Sequence, residues 1–276
     1  MDREAITAAA QRRIDEIVAG AHTEPGRGMW TLFVREIRRF WSFGSQTIIS
    51  PVVTTLLYFL VFGYSLGERL QEIRGIPYID FLVPGLVMLS VINNAYMNAA
   101  FSLFIAKVHG MVIDLLVTPL SYWQFLGAYT AAAMVRAMLV GSIIWVVAML
   151  MGASLPYSAA LTILFMLLTA LSFSMLGLCV AIVSEDFDQV NLLPNFLITP
   201  LTFLGGVFYS VDMLPDFWRM VSYFNPVLYM VNGLRFGMTG VSDVPWWAGL
   251  LVLTGQSAAF GFIALGLLKS GYKLRD

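Results

Sequence analysis

The chain has 276 residues, of which 59% are hydrophobic and only 12% charged, with a formal net charge of -1. Soluble domains carry about 25% charged residues, so lipid is this chain's main solvent. The absence of a basic excess excludes nucleic acid as a partner, and one cysteine, Cys179, excludes an internal disulfide.

Residues 1–27 open the chain. Their first part, "DREAITAAAQRRIDEIVAGA", mixes both charge signs and lacks the continuous apolar core of a secretory signal. They are expected to form a cytoplasmic N-terminal segment, with the first span acting as the insertion signal. Next comes "GMWTLFVREIRRFWSF", 28–43. At about 100° per residue, Trp30, Phe33, Val34, Ile37, Phe40 and Trp41 share one face. Arg35, Glu36, Arg38, Arg39 and Ser42 share the other. Such a helix lies on a membrane surface, its rings buried and its guanidiniums toward headgroups.

A spanning helix needs about 20 mostly apolar residues. Six runs qualify, at 44–63, 80–104, 130–151, 158–183, 191–209 and 246–268. They do not alternate polar with apolar positions, so helices are expected and a β-barrel is not. The second run carries Ser90, Asn94, Asn98 and Ser102 at a spacing of four, with Asn93 beside them. This stripe faces protein or a cavity. Interhelical hydrogen bonding, worth about 0.6–2 kcal/mol per contact, and contact with a transported molecule both account for it.

Between the second and third runs stands "KVHGMVIDLLVTPLSYWQ", 107–124, too apolar for a free loop and too polar for a span. Burying Leu115, Leu116 and Val117 would contribute about 1.5–3 kcal/mol each. Asp114 precedes that turn, where a carboxylate suits a helix N-terminus or a salt bridge to a partner. Pro119 stops the turn, and Tyr122 and Trp123 anchor the start of the third run. Arg136 is the one ionisable group well inside a run. At a span centre it would cost roughly 2.5–3.5 kcal/mol, so it is expected to snorkel inward.

A short acidic loop, 184–190, separates the fourth and fifth runs. After the fifth, residues 210–245 are broken by Pro215, Pro226, Gly233 and Gly240. Two short helices that enter the outer leaflet and return would fit, provided that protein or a wet cavity covers them. Phe203, Phe208 and Tyr209, with the rings of the following segment, serve either as an aromatic belt or as stacking surfaces. Residues 269–276 form a short cytoplasmic tail.

With the N-terminus inside, eleven basic residues lie on the inner side (Arg3, Arg12, Arg13, Arg27, Arg35, Arg38, Arg39, Lys107, Lys269, Lys273 and Arg275) against four outside (Arg69, Arg74, Arg219 and Arg235). Both termini are therefore expected in the cytoplasm. The sequence has no G-x-x-x-x-G-K-[ST] phosphate loop and no G-x-S-x-G elbow. His22 and His109 stand apart without ligand partners, so no metal site is expected. The runs hold no carboxylate relay of the kind that coupled carriers use. A stand-alone channel or ion-coupled carrier and a membrane-embedded enzyme acting on lipid are the alternatives; the missing relay weighs against coupled transport and the missing catalytic cluster against the enzyme.

Four stretches in order resemble the type-2 ABC exporter permeases: "FLVPGLVMLS" (81–90), "DLLVTPLSYWQFLGAY" (114–129), "LLPNFLITPLTFLGGVFYS" (192–210) and "FNPVLYMVNGLRFG" (224–237). With the order of the runs, the resemblance covers residues 28–268. It implies an all-α bacterial inner-membrane subunit of six spans that works as a homodimer among membrane lipids. Each copy would dock to one of two cytoplasmic ABC ATPase subunits. ATP and Mg would sit on that partner, with no cofactor on this chain. It also implies roles. Trp30, Phe33, Arg35, Ile37, Arg38, Arg39, Phe40 and Trp41 belong to an interfacial gate helix. Lys107, His109, Asp114, Leu115, Leu116, Val117 and Pro119 belong to the coupling helix that contacts the ATPase. Ser90, Asn93, Asn94, Asn98, Phe203, Phe208 and Tyr209 would line the pathway for a lipid, glycan or amphipathic drug. The family often places a basic residue and a Glu before the coupling segment. Here "GMVID" offers only Asp114, so the contact is expected to be more apolar or shared with an inner-leaflet lipid.

Overall fold

The computed structural model describes residues 26–42, 44–66, 72–112 and 120–273. Most of the expected segment 1–27 therefore lies outside the described residues, as do Asp114, Leu115, Leu116, Val117 and Pro119. The described chain is almost wholly helical, which upholds the all-α membrane class. Helix α1 is Arg27–Ser42. Helix α2 runs from Gly44 to Tyr58 and continues in wider π-helical turns over Phe59–Leu66. A two-stranded hairpin, Glu72–Ile73 (β1) against Ile76–Pro77 (β2), follows. Its turn residues Arg74 and Gly75 both take positive φ, 54° and 77°, as the tightest hairpin turn requires. No periodic signal in the sequence pointed to this hairpin.

The remaining helices are α3 (Tyr78–Val108), α4 (Tyr122–Leu150), α5 (Ala159–Val183), α6 (187–204), α7 (Asp216–Tyr223), α8 (Pro226–Thr239) and α9 (Trp246–Ser270). Four of them, α3, α4, α5 and α9, are long and apolar enough to cross a membrane. The apolar part of α2, Ile48–Gly63, is shorter. Helix α6 is interrupted by π-helical turns over Pro194–Ile198. Pro200 stands two residues beyond Ile198. Its ring would clash with the carbonyl four residues back in a regular helix, and a widened turn relieves that clash.

Helix α4 starts eight residues before the expected 130. Ser121 and Gln124 form a reciprocal cap: Gln124 N donates to Ser121 Oγ at 3.3 Å and Ser121 N to Gln124 Oε1 at 3.0 Å. This S-x-x-Q box is a strong start signal. Inner and outer name the sides expected from the distribution of Lys and Arg. Two short helices, α7 and α8, stand within the expected 210–245 segment. Pro215, Pro226 and Gly240 bound them, but Gly233 does not break α8. It lies inside the helix against Phe165, where an added Cβ would meet the ring at 2.0 Å.

Helix α3 is the centre of the molecule. Phe81, Leu82, Leu86, Val87, Val91, Ile92, Tyr96 and Leu103 are all buried, on every side of the helix, as expected of a helix apolar all round. It packs mainly on α5 and α4, and α9 packs on α5. The Tyr96 hydroxyl donates to Val190 O at 2.8 Å, pinning α6 to α3. At the outer end the Asp80 carboxylate accepts from Ser154 N and Ser154 Oγ, both at 2.7 Å. That ties the start of α3 to the loop between α4 and α5.

Candidate functional site: a cleft between two charge clusters

The polar stripe of α3 divides in two. Its outer part, Ser90, Asn93 and Asn94, borders a cleft of about 280 Å³ between α2, α3 and α6. Thr54, Tyr58, Thr199, Thr202, Phe203 and Phe208 complete much of its wall. Asn94 Nδ2 donates to Ser90 O at 3.0 Å and Asn93 Nδ2 to Leu89 O at 2.9 Å. Both amide nitrogens thus serve their own helix. Phe208 stacks near Phe62, Tyr58 and Phe203, with centroids 4.6, 5.9 and 5.6 Å away. Five of the seven expected pathway residues therefore meet at one cleft. Tyr209 is not among its walls; its hydroxyl donates to Phe203 O at 2.9 Å.

Asn98, the other absentee, belongs with Ser102 to an inner charge cluster. Helix α1 packs along α4, from Met29 on Gly127 to Arg35 on Tyr129. Its inward stripe is Leu32, Glu36 and Phe40, all buried. Glu36 was expected on the polar outer face, yet its side chain is 2% exposed. The reason is pairing: a buried carboxylate is tolerated where it is neutralised and hydrogen-bonded. Arg35 Nη2 meets Glu36 Oε1 at 3.1 Å, Arg39 Nε meets Oε2 at 3.0 Å, and Ser102 Oγ donates to Oε2. Arg39 Nη2 and Arg136 Nη1 both donate to Asn98 Oδ1, at 3.4 and 3.3 Å. Trp30 and Trp41 remain exposed at the two ends of α1, while Phe33 and Ile37 are half-buried and Arg38 is exposed.

An outer charge cluster was not expected from the sequence, where Arg74 and Arg235 counted only as outer-side basic residues. Arg235 is fully buried in α8. Its Nη2 donates to Gly206 O at 2.6 Å and its Nε to Phe81 O at 3.4 Å, with the guanidinium 3.7 Å over the Phe81 ring. Asp243 Oδ2 lies 3.7 Å from Arg235 Nη1, and Asp243 Oδ1 lies 3.1 Å from Arg74 Nε. Asp243 also accepts from Ser210 Oγ at 2.8 Å. Arg74 bonds Asp212. That hydrogen bond, with the charge of Asp243, raises the Arg74 pKa above its ordinary value. The only hint in the sequence was Asn232 and Arg235, one turn apart on an otherwise apolar helix.

On the inner side, Lys107 Nζ donates to Ile182 O and Ser184 O at 2.8 Å each. It thereby fastens the end of α3 to the end of α5, using carbonyls that a helix terminus leaves open. His109 Nδ1 lies 2.8 Å from Ile105 O. Lys273 pairs with Glu185. The hydrogen bond and charge of Lys273 hold the Glu185 carboxyl below the usual carboxylate range. Among the described residues no group of His, Cys, Asp and Glu could hold a metal ion.

The ABC-2 type transporter family matches residues 27–239. The chain is 38% identical over 246 residues to the inner membrane transport permease YadH of Escherichia coli K12, covering 89% of this chain and 96% of that protein. It is 26% identical over 244 residues to nodulation protein J of Rhizobium leguminosarum bv. viciae, covering 85% and 92%. A nodulation protein J from Neorhizobium galegae is 24% identical over 214 residues, covering 75% and 80%. A buried helical array with a polar cleft, matched over this length, identifies the chain as a transporter membrane subunit: it belongs to the ABC-2 type transporter family.

Proposed function

We propose that this chain is the permease subunit of an ATP-driven exporter in a bacterial inner membrane. Helices α2 and α6 complete a set of six spans with α3, α4, α5 and α9, and both termini face the cytoplasm. Two copies form the pathway, and each engages one ABC ATPase subunit. ATP and Mg bind that partner, and this chain carries no cofactor of its own. The cleft of Ser90, Asn93, Asn94, Phe203 and Phe208 receives the cargo, a lipid, glycan or amphipathic drug. Its mix of rings and amides suits such a molecule better than a bare ion. The likeness to proteins named as transport permeases supports the reading.

One observation carries the mechanical part. Lys107 clamps α3 to the end of α5 a few residues before segment 113–119. A push on that segment would therefore move two central helices together. Lys107, His109 and the stretch Asp114, Leu115, Leu116, Val117 and Pro119 form the coupling element. Helix α1, with Trp30, Phe33, Arg35, Ile37, Arg38, Arg39, Phe40 and Trp41, is the gate on the inner surface.

The test is capture of the ATPase subunit by the full chain in detergent. Replacing Leu115 and Leu116 with Asp removes the apolar contact and should abolish capture without altering thermal unfolding of the chain alone. Undiminished capture by the double variant would sink the docking assignment.

A further inference from the structure

The inner cluster does not balance. Among the described residues it sets three guanidiniums, Arg35, Arg39 and Arg136, against one carboxylate, Glu36. Arg35 and Arg39 both use Glu36. Arg136 has no carboxylate partner among the described residues, and its buried Nε has no hydrogen-bond partner. Arg39 and Arg136 are held together through a single amide oxygen, Asn98 Oδ1, at 3.4 and 3.3 Å. Two like charges converging on one neutral acceptor repel each other unless an anion joins them.

Depth fits an anion from the inner leaflet. Arg136 stands fourteen residues before Leu150, the outer end of α4. At 1.5 Å per residue this is about 21 Å. About 9 Å then remains to the inner edge of a ~30 Å apolar core, close to the reach of an Arg side chain and a headgroup drawn inward. Arg39 is 30% exposed, so the site is open on its α1 side. Guanidiniums recognise phosphate oxygens through paired N–H donors.

We infer that Arg39 and Arg136 form a binding site for one phosphate group, with Asn98 fixing the two guanidiniums and Glu36 holding Arg39 and Arg35 in place. The phosphate is carried by an anionic phospholipid or is free in the cytoplasm. The inference does not rest on ATP-driven export, and its test contains no ATPase.

The purified full chain is offered equimolar phosphatidylglycerol and phosphatidylcholine in detergent, and bound lipid is read by native mass spectrometry. The chain should retain phosphatidylglycerol over phosphatidylcholine by about tenfold, the scale of one charge-assisted hydrogen bond. R39Q and R136Q should each erase most of that preference. K269Q removes an equal charge from the exposed inner end of α9 and should leave it intact. R136K keeps the charge but loses the fork, so it should fall between wild type and R136Q, and it stands in if R136Q does not fold. Inorganic phosphate is then added. Displacement of the lipid assigns the site to free phosphate, whereas persistence assigns it to the lipid, and both outcomes support the site. Equal retention of the two lipids by the wild type together with no binding of inorganic phosphate that R39Q and R136Q weaken, or the same preference in R39Q, R136Q and K269Q, overturns it.

Discussion

The two charge clusters of this protein are built on opposite plans. The outer one sets Arg74 and Arg235 against Asp212 and Asp243. Backbone carbonyls and the Phe81 ring satisfy much of what remains of Arg235. The inner one sets Arg35, Arg39 and Arg136 against Glu36 alone among the described residues. A charge-balanced cluster holds parts together, with Arg235 and Asp243 buried and Arg74 and Asp212 at its rim. It joins the hairpin, α3, the loop after α6 and α8 into one outer cap. An unbalanced, half-open cluster has capacity left for a ligand. The lesson is that buried charge reports function through what is missing from its surroundings, not through burial itself.

The largest effect that can break this contrast is at Asp243. D243A leaves Arg235 buried without its carboxylate, a change that costs about 3–5 kcal/mol. Denaturant or thermal unfolding of the purified chain should show that loss; a cost under about 1 kcal/mol would mean that the outer cluster is not the clasp described. E36Q should come next. It frees Arg35 and Arg39, but these are 42% and 30% exposed, so solvent screening limits the loss to roughly 1–3 kcal/mol. R136Q should behave in the opposite sense. In phosphate-free, zwitterionic detergent it removes a buried charge that has no carboxylate partner among the described residues, so the melting temperature should hold or rise. A fall as large as that of D243A would make the inner cluster a second clasp.

The smallest effect lies at Glu185, which is exposed. Its folded pKa is depressed by Lys273. Its stabilising contribution is therefore complete above the ordinary carboxyl value of about 4.5 and is lost as pH falls through the folded value. The protection factors of residues 271–273 against hydrogen exchange, taken relative to the intrinsic rate at each pH, should fall over that acid range, and K273Q should remove the pH dependence. An unchanged profile in K273Q would assign it to another group.

Much of this architecture was legible in the residues. Apolar runs located the long helices, and Pro215, Pro226 and Gly240 located the outer short ones. Boundaries slipped where a local signal was passed over: the S-x-x-Q cap at Ser121 starts α4 well before its apolar run does. Glu36 was misplaced because a helical wheel sorts by side-chain polarity. Its burial is decided by Arg35, Arg39 and Ser102, and Ser102 lies 66 residues away. The polar stripe of α3 was legible as a stripe, but not its division into a cleft wall and a clamp for α1. The outer cluster was invisible for the same reason. Arg74 and Asp212 are 138 residues apart, and only the fold brings them together.

The central claim is that the inner end of α3 receives the force that opens a pathway bordered by its outer part. A photo-crosslinking residue placed at His109, exposed beside the coupling segment, tests it in the membrane-embedded full chain. Leu155, exposed in the loop at the other end of the molecule, is the comparison. The account predicts a crosslink from position 109 to a cytoplasmic subunit that carries a phosphate-binding loop, and none from position 155. A crosslink to that subunit from 155, or from neither position while transport persists, would contradict it.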